Sequence, residues 1–407
     1  MNDKQPTRHT QGGKSRPAGA FPKLGRFSPL QIGKALLLIL LVVLCAQAIS
    51  ARYRSNPGLL RKNSDDVSAA QPAAETQVPI ATPEPTPEYF TISAIGDLTL
   101  ASHQNLGDAS EYSYTSRMNG DYTYPFQNTI QYFEADDLTI GNLECTFSDR
   151  RLSSSSLFYF QAPADRANVL PVNSIDFVTT ANNHCMDFGE VGFNENCKAL
   201  EAVGQAYGID EQAQIITTES GLRVGIYTVG NDAGSSGYIP STEHAVSAIE
   251  QLREDGAEYI ICMFHWGKEL QYTPSENMIS LAHACIDAGA GLVYGTHPHC
   301  LEPVEEYNGG IILYSMGNFS FGGNTDPTDW DTAIVQVQVV RKGTETYNEG
   351  WTAIPCRCSE NTKVNDYKPT PYEEDSEDYA RIMSKLLGTY EGENAVKDYS
   401  GWYASYS

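Results

Sequence analysis

Five apolar runs of strand length in this chain end at the same kind of side chain. Residues 90–95 run into Gly96-Asp97, and residues 138–141 into Asn142-Leu143-Glu144. Residues 177–180 lead to Ala181-Asn182-Asn183-His184, residues 259–264 to His265, and residues 291–295 to Thr296-His297-Pro298-His299. Apolar runs of this length, alternating with helical patterns, are the signature of an α/β layered fold. In open α/β sheets ligands bind beyond the carboxyl ends of the strands, so one shared cleft is the economical reading of all five endings. Asn142 and Glu144 are two apart in an extended segment, which points both side chains the same way. By the same period-two argument His297 and His299 project to one side of a turn stiffened by Pro298.

Each residue has a bland alternative when taken singly. Asp and Asn are favoured as caps where strands turn into helices, and a lone His after a strand is more often a satisfied structural residue than a ligand. The set argues otherwise. Of eight histidines, four stand at strand ends, whereas His9, His103, His244 and His283 fall in an arm, a loop or helices.

Between these endings the pattern predicts helices over 125–133, 191–203, 243–254 and 276–288, with a short strand at 157–161 and β structure over 215–229 broken by a Ser-Gly turn. Gly309-Gly310 predicts a hairpin, with residues 314–321 as its return strand. In the tail, residues 351–355 read as a last strand and 372–387 as a helix with an acidic first turn and Lys385 near its end, as the helix dipole favours.

Charge is distributed unevenly. Residues 1–54 carry nine Lys or Arg against one acidic residue, leaving 18 basic and 50 acidic residues in the remainder. So acidic a domain repels phosphates, which excludes nucleic acid as a partner. The basic arm, residues 1–34, runs into sixteen uncharged residues, 35–50, that span roughly 24 Å as a helix. Flanking residues and snorkelling arginines cover the remaining thickness of a bilayer, and the positive flank places the N-terminus in the cytoplasm. The expectation is a single-pass signal anchor in the cell membrane with the following domain outside. The rival is a cleaved signal peptide ending at Ala46-Gln47-Ala48. Residues 51–88, rich in Pro, Thr and Glu, read as a solvated stalk. The nine cysteines show no zinc-type spacing, so most are expected to be buried thiols.

From residue 89 to about 340 the chain resembles the CapA, or poly-γ-glutamate capsule biosynthesis, family of the calcineurin-like metallophosphoesterase superfamily. The resemblance rests on GD at 96–97, GNLE at 141–144, ANNH with D and G at 181–189, HWGKE at 265–269, GTHPH at 295–299 and YSMGNFSF at 314–321. It implies a four-layer α/β/β/α sandwich over 89–345, followed by an extension at 346–407. Carried over residue by residue, it implies Asp97, Glu144, Asn183, His265, His297 and His299 as ligands of two divalent ions, with Glu144 bridging. His184 becomes the imidazole beside the scissile group, and Asn142, Lys268, Glu269 and Asn318 are placed toward substrate. Carboxylate, amide and imidazole donors suit Mn, Fe or Zn. The implied activity is that of a metal-dependent hydrolase or transferase acting on an anionic capsule or envelope polymer, beside membrane-bound synthesis or export proteins. The alternative is a non-catalytic binding or assembly component using the same cleft. One departure stands out: the superfamily opens with Asp-x-His, and here the triplet is Asp97-Leu98-Thr99, so one metal position is a ligand short.

Overall fold

The computed structural model describes residues 84–392 apart from 104, 105, 108, 155 and 231–237. The arm, the apolar run and most of the stalk lie outside the described residues, as does the end of the tail. Among the described residues no helix is long and apolar enough to cross a membrane.

Among the described residues there are sixteen strands and six α-helices. In order they are β1 (Glu88–Thr99), α1 (Tyr114–Met118), α2 (Ile130–Phe133), β2 (Leu138–Leu143), β3 (Thr146–Phe147), β4 (Gln161–Ala162), β5 (Phe177–Thr179) and α3 (Gly189–Ala202). Then follow β6 (Ala206–Gly208), β7 (Gln212–Thr217), β8 (Arg223–Val229), α4 (Thr242–Glu254), β9 (Tyr259–His265), α5 (Glu276–Ala288) and β10 (Leu292–Thr296). The chain continues through β11 (Val304–Tyr307), β12 (Gly310–Leu313), β13 (Asn318–Phe321), β14 (Asp331–Lys342), β15 (Glu345–Arg357), β16 (Thr370–Pro371) and α6 (Glu377–Leu386).

Strand β3 pairs with β4 in a small third sheet, and the other fourteen strands form two large ones. One has the order β16-β15-β14-β1-β2-β5-β6, with β13 pairing to β1, and the other β11-β12-β10-β9-β8-β7. The pleat explains how they pack. In β9, Tyr259, Ile261 and Met263 enter a core shared with Ile92, Ile140 and Val335 of the first sheet. Their alternates Ile260, Cys262 and Phe264 face α4 and α5 through Ile249, Leu281 and Cys285. Because this strand is covered on both faces, it reads as an unbroken apolar run. On the far side of the first sheet, α3 contributes Ala199 and Leu200 to a third core with Ile95, Leu143 and Val178. Two sheets therefore face each other across one core, with helices outside both.

Several expectations are corrected. The helix expected over 125–133 is split into a 3-10 turn, Tyr124–Phe126, and α2, because Thr129 leaves helical geometry at φ −130° and ψ −13°. The short strand near 157–161 is shifted to β4, with Leu157 exposed. The strand expected at 351–355 is the end of the far longer β15, which pairs along the whole of β14. The segment 314–321 is not the return strand of the hairpin: β13 crosses to the other sheet and pairs parallel with β1, placing Asn318 opposite Asp97. The Thr-His-Pro-His turn is not β-like either, since His297 and His299 have φ of 98° and 54°, left-handed backbone that costs about 1–3 kcal/mol at each non-glycine residue. All eight described cysteines are free, and all but Cys197 are buried.

Candidate metal centre

The five strand endings meet where the two sheets converge. β1 carries Asp97, and its pairing with β2 is irregular between Ala94 and Asp97, the kind of local break that re-aims a side chain. Asp97 is fixed by Asn142, whose Nδ2 donates to Asp97 Oδ1 at 2.8 Å. Asn142 in turn accepts from Asn182 Nδ2 at 3.0 Å, and the same amide donates to Leu143 O at 2.8 Å. Asn142 is fully buried, so its contacts make it a support for Asp97, whereas the sequence placed it toward substrate.

Glu144 is the centre of the cluster. Its Oε1 lies 3.8 Å from His184 Nε2, 3.8 Å from His265 Nε2 and 3.9 Å from His299 Nε2. Glu144 is fully buried, and neither carboxylate oxygen has a hydrogen-bond partner, whereas Asp97 Oδ2 lies 3.2 Å from His299 Nδ1. A buried carboxylate left unpaired costs several kcal/mol. Burial foremost, and the neighbouring Asp97 charge next, push the Glu144 carboxyl well above the usual range.

Two groups of donors share this carboxylate. Asp97, Glu144 and His299 offer ligand atoms all within 4.8 Å of one another. On the other side His265 Nε2 is 2.8 Å from Asn183 Oδ1 and 3.2 Å from His297 Nδ1. His265 Nδ1 is held from behind, 2.9 Å from Thr296 Oγ1, while His299 Nδ1 is shared between Asn318 Oδ1 at 2.8 Å and Asp97 Oδ2 at 3.2 Å. That is how ligating imidazoles are commonly oriented. Asn318, like Asn142, supports a neighbouring side chain. Lys268 is exposed and Glu269 partly so, and the Glu269 charge acts on both Glu144 and His299.

The donors fit divalent ions. Two bonds of about 2.1 Å meeting at one ion span up to about 4 Å, which matches the open nitrogen-to-oxygen distances around Glu144. Burial foremost, with the nearby imidazoles, lowers His265 well below the ordinary value, keeping it the neutral ligand that a metal needs. Burial also works to lower His299, but the Glu144 and Asp97 carboxylates outweigh it and hold this imidazole at about 10. Thr99 fills the place of the missing histidine with a buried hydroxyl that donates to Glu144 O at 3.3 Å, so it is no ligand.

A profile of the family described as "Bacterial capsule synthesis protein PGA_cap" matches residues 91–323, more than half of the chain. The chain belongs to that family. Among its relatives are the PGA biosynthesis protein CapA of Bacillus subtilis, 28% identical over 64% of this chain and 70% of that one, and the capsule biosynthesis protein CapA of Bacillus anthracis, 28% identical over 63% and 66%. A probable polyglutamine synthesis accessory protein of Mycobacterium tuberculosis is 26% identical over 52% of this chain and 65% of that one. Of solved structures, the calcineurin-like phosphoesterase YfkN of Bacillus subtilis aligns over 70% of this chain and 95% of that one, with 15% identity and a TM-score of 0.41.

The matched segment contains every side chain of the cluster. Sequence reasoning gave no role to Asn182, Thr296 and Asp187, which hold Asn142, His265 and the partly exposed His184 in place. Asn182 stands one residue before the expected ligand Asn183, and nothing local distinguishes which amide faces inward.

Proposed function

We propose that this protein is a membrane-anchored, outward-facing member of its family with a two-metal site that hydrolyses or transfers a group on an anionic capsule or envelope polymer. The observation carrying this reading is Glu144, a fully buried carboxylate without hydrogen bonds between three imidazoles. Divalent Mn, Fe or Zn held there would supply positive charge to the reacting oxygens. Asp97 and His299 would hold one side, Asn183, His265 and His297 the other, and Glu144 both. His184, partly exposed at the rim, is placed to move a proton at its Nε2, because Nδ1 faces Asp187 Oδ2 at 2.7 Å.

Metal content of the purified protein tests this reading. We expect bound transition metal and a higher melting temperature on adding Mn or Zn. Neither would be seen if the buried carboxylate were only structural.

Thr99 favours a second reading, in which the cleft binds polymer or a membrane-bound synthesis or export protein without turnover. Assays with phosphoesters and γ-glutamyl polymers decide between them: turnover that His184→Ala lowers by roughly 100-fold removes the non-catalytic reading. The anchor and orientation are checked by protease added to intact protoplasts, which should digest the domain and spare a small N-terminal fragment. Full protection would reverse the orientation, and mature domain in the medium would replace anchoring by cleavage.

A further inference from the structure

A cavity of about 440 Å³ lies beside the metal centre and is lined by Ser102, His103, Ser148, Arg150, Arg151 and Gln161, among others. Phe160 stands between the two: its ring is 5.0 Å from that of His184, it bridges to His103, and the next residue, Gln161, lines the cavity. Glu144 and Arg150 are six residues apart, so at most about 20 Å separates their backbones.

Two features give this cavity a chemistry. Arg150 and Arg151 are both exposed and, among the described residues, neither forms an ion pair, although acidic residues outnumber basic ones by 51 to 27 in the chain. Other cations such as Arg341, Arg381 and Lys385 are neutralised by carboxylates. Moreover, the segment bearing the arginines is held in place. Gln161 Nε2 donates to Ser148 O at 3.0 Å and to Arg150 O at 2.5 Å, and Arg150 N donates to Ser148 Oγ at 3.1 Å. Asp149, which also lines the cavity, accepts from Ala164 N at 2.9 Å and thereby ties the loop down from its other side. A fixed loop presenting two guanidinium groups, neither in an ion pair among the described residues, to a cavity suits recognition of a carboxylate or phosphate.

We propose that this cavity is an anion subsite, in which Arg150 and Arg151 hold one acidic group of a polyanionic chain while another part of that chain lies at the Glu144 cluster. The first half stands on the cavity alone; the second rests on the function proposed above. An acidic domain repels an acidic chain, and two unpaired cations beside the centre offset that repulsion where it matters.

Binding of two fluorescent probes to the full-length protein in detergent, with Mn present, tests this: a γ-linked glutamate decamer and a polyphosphate of matched charge. Arg150→Glu/Arg151→Glu should weaken binding of at least one probe by about tenfold or more and flatten its salt dependence, with the melting temperature unchanged. Arg150→Gln/Arg151→Gln should lie between, guarding against misfolding of the reversed variant. A loss confined to the decamer assigns the subsite to carboxylates, and one confined to polyphosphate to phosphates. If both double variants bind both probes as the wild type does, the subsite is wrong. His299→Ala separates the two proposals, because it should disturb the metal centre while leaving arginine-dependent binding intact. Loss of binding in His299→Ala but not in the arginine variants would overturn the subsite and leave the metal centre standing.

Discussion

His184 Nδ1 lies 2.7 Å from Asp187 Oδ2, and the other oxygen of Asp187 accepts from Ser156 Oγ at 2.8 Å. The carboxylate thus fixes the imidazole so that Nε2 faces Glu144. Asp187 touches no other member of the cluster in this way, which makes it a positioning residue. Asp187→Asn should lower turnover about 10- to 100-fold, the usual range for a side chain that orients another, while metal content stays at the wild-type level. Kinetics and metal counting on the same sample check this. Loss of metal in the variant would show that Asp187 supports the ligands themselves.

Strands β9 and β10 were legible because each is covered on both faces and so reads as a continuous apolar run. Helix α5 matched its predicted bounds because Ser275 caps it and Gly289 ends it in left-handed backbone. The crossing of β13 was not legible. It depends on Gly96 lying so close to Gly317 that a Cβ on Gly96 would be 2.1 Å from Gly317 O, a contact between residues far apart in sequence. β15 was hidden for a different reason: half of its side chains are polar and it lies near the edge of its sheet, so no apolar run marks it. The candidate donors were visible from sequence, whereas the amide chain Asn182-Asn142-Asp97 required the packing.

Lys385 is not at the end of its helix merely to face the dipole. It is buried, with Nζ 2.7 Å from Asp329 Oδ2 and 2.9 Å from Asp331 Oδ2, and the Tyr272 ring lies 4.5 Å away. Arg381 gives Asp331 a second partner, but Asp329 has no other ion pair among the described residues. Lys385→Met should therefore destabilise the domain by about 3 kcal/mol by leaving a buried carboxylate uncompensated. Adding Asp329→Asn should recover part of that loss in chemical denaturation. An unchanged midpoint in Lys385→Met would mean that α6 is not held to β14 by this charge cluster.

Asp136 gives a pH signature away from the metal centre. Burial foremost, with the charges of Asp176 and Asp137, pushes its carboxyl up to about 7, despite hydrogen bonds from Ser93 and Thr139. The folded state then binds a proton that the unfolded chain, with an ordinary Asp, releases near pH 4. Stability should fall as pH rises from about 4 to 7, and flatten above. Discounted for partial exposure, the effect is about 2 kcal/mol. Asp136→Asn keeps the hydrogen bond from Thr139 Oγ1 and should be more stable than wild type at pH 8, with the gap closing toward pH 4. Urea midpoints across that range measure it, and a gap independent of pH would assign the effect to packing.

His297 and His299 are two residues apart, yet their rings are 6.0 Å apart and serve different partners. His297 Nδ1 faces His265 Nε2 in the group with Asn183 and Glu144, four potential ligands in all. His299 belongs with Asp97 and Glu144, three ligands, and Thr99 supplies no fourth. Loss of a ligand from the fuller group should empty the tighter position, whereas loss from the poorer group should mainly raise the metal concentration needed to fill it. We therefore expect His297→Ala to abolish tight metal binding and His299→Ala to retain about one ion per chain. The left-handed backbone at both positions means that either alanine keeps the strain of the turn, so comparable melting temperatures without metal serve as the folding control. Metal counting on the two variants decides the matter, since equal loss of all metal from both would show that the two imidazoles serve a single position.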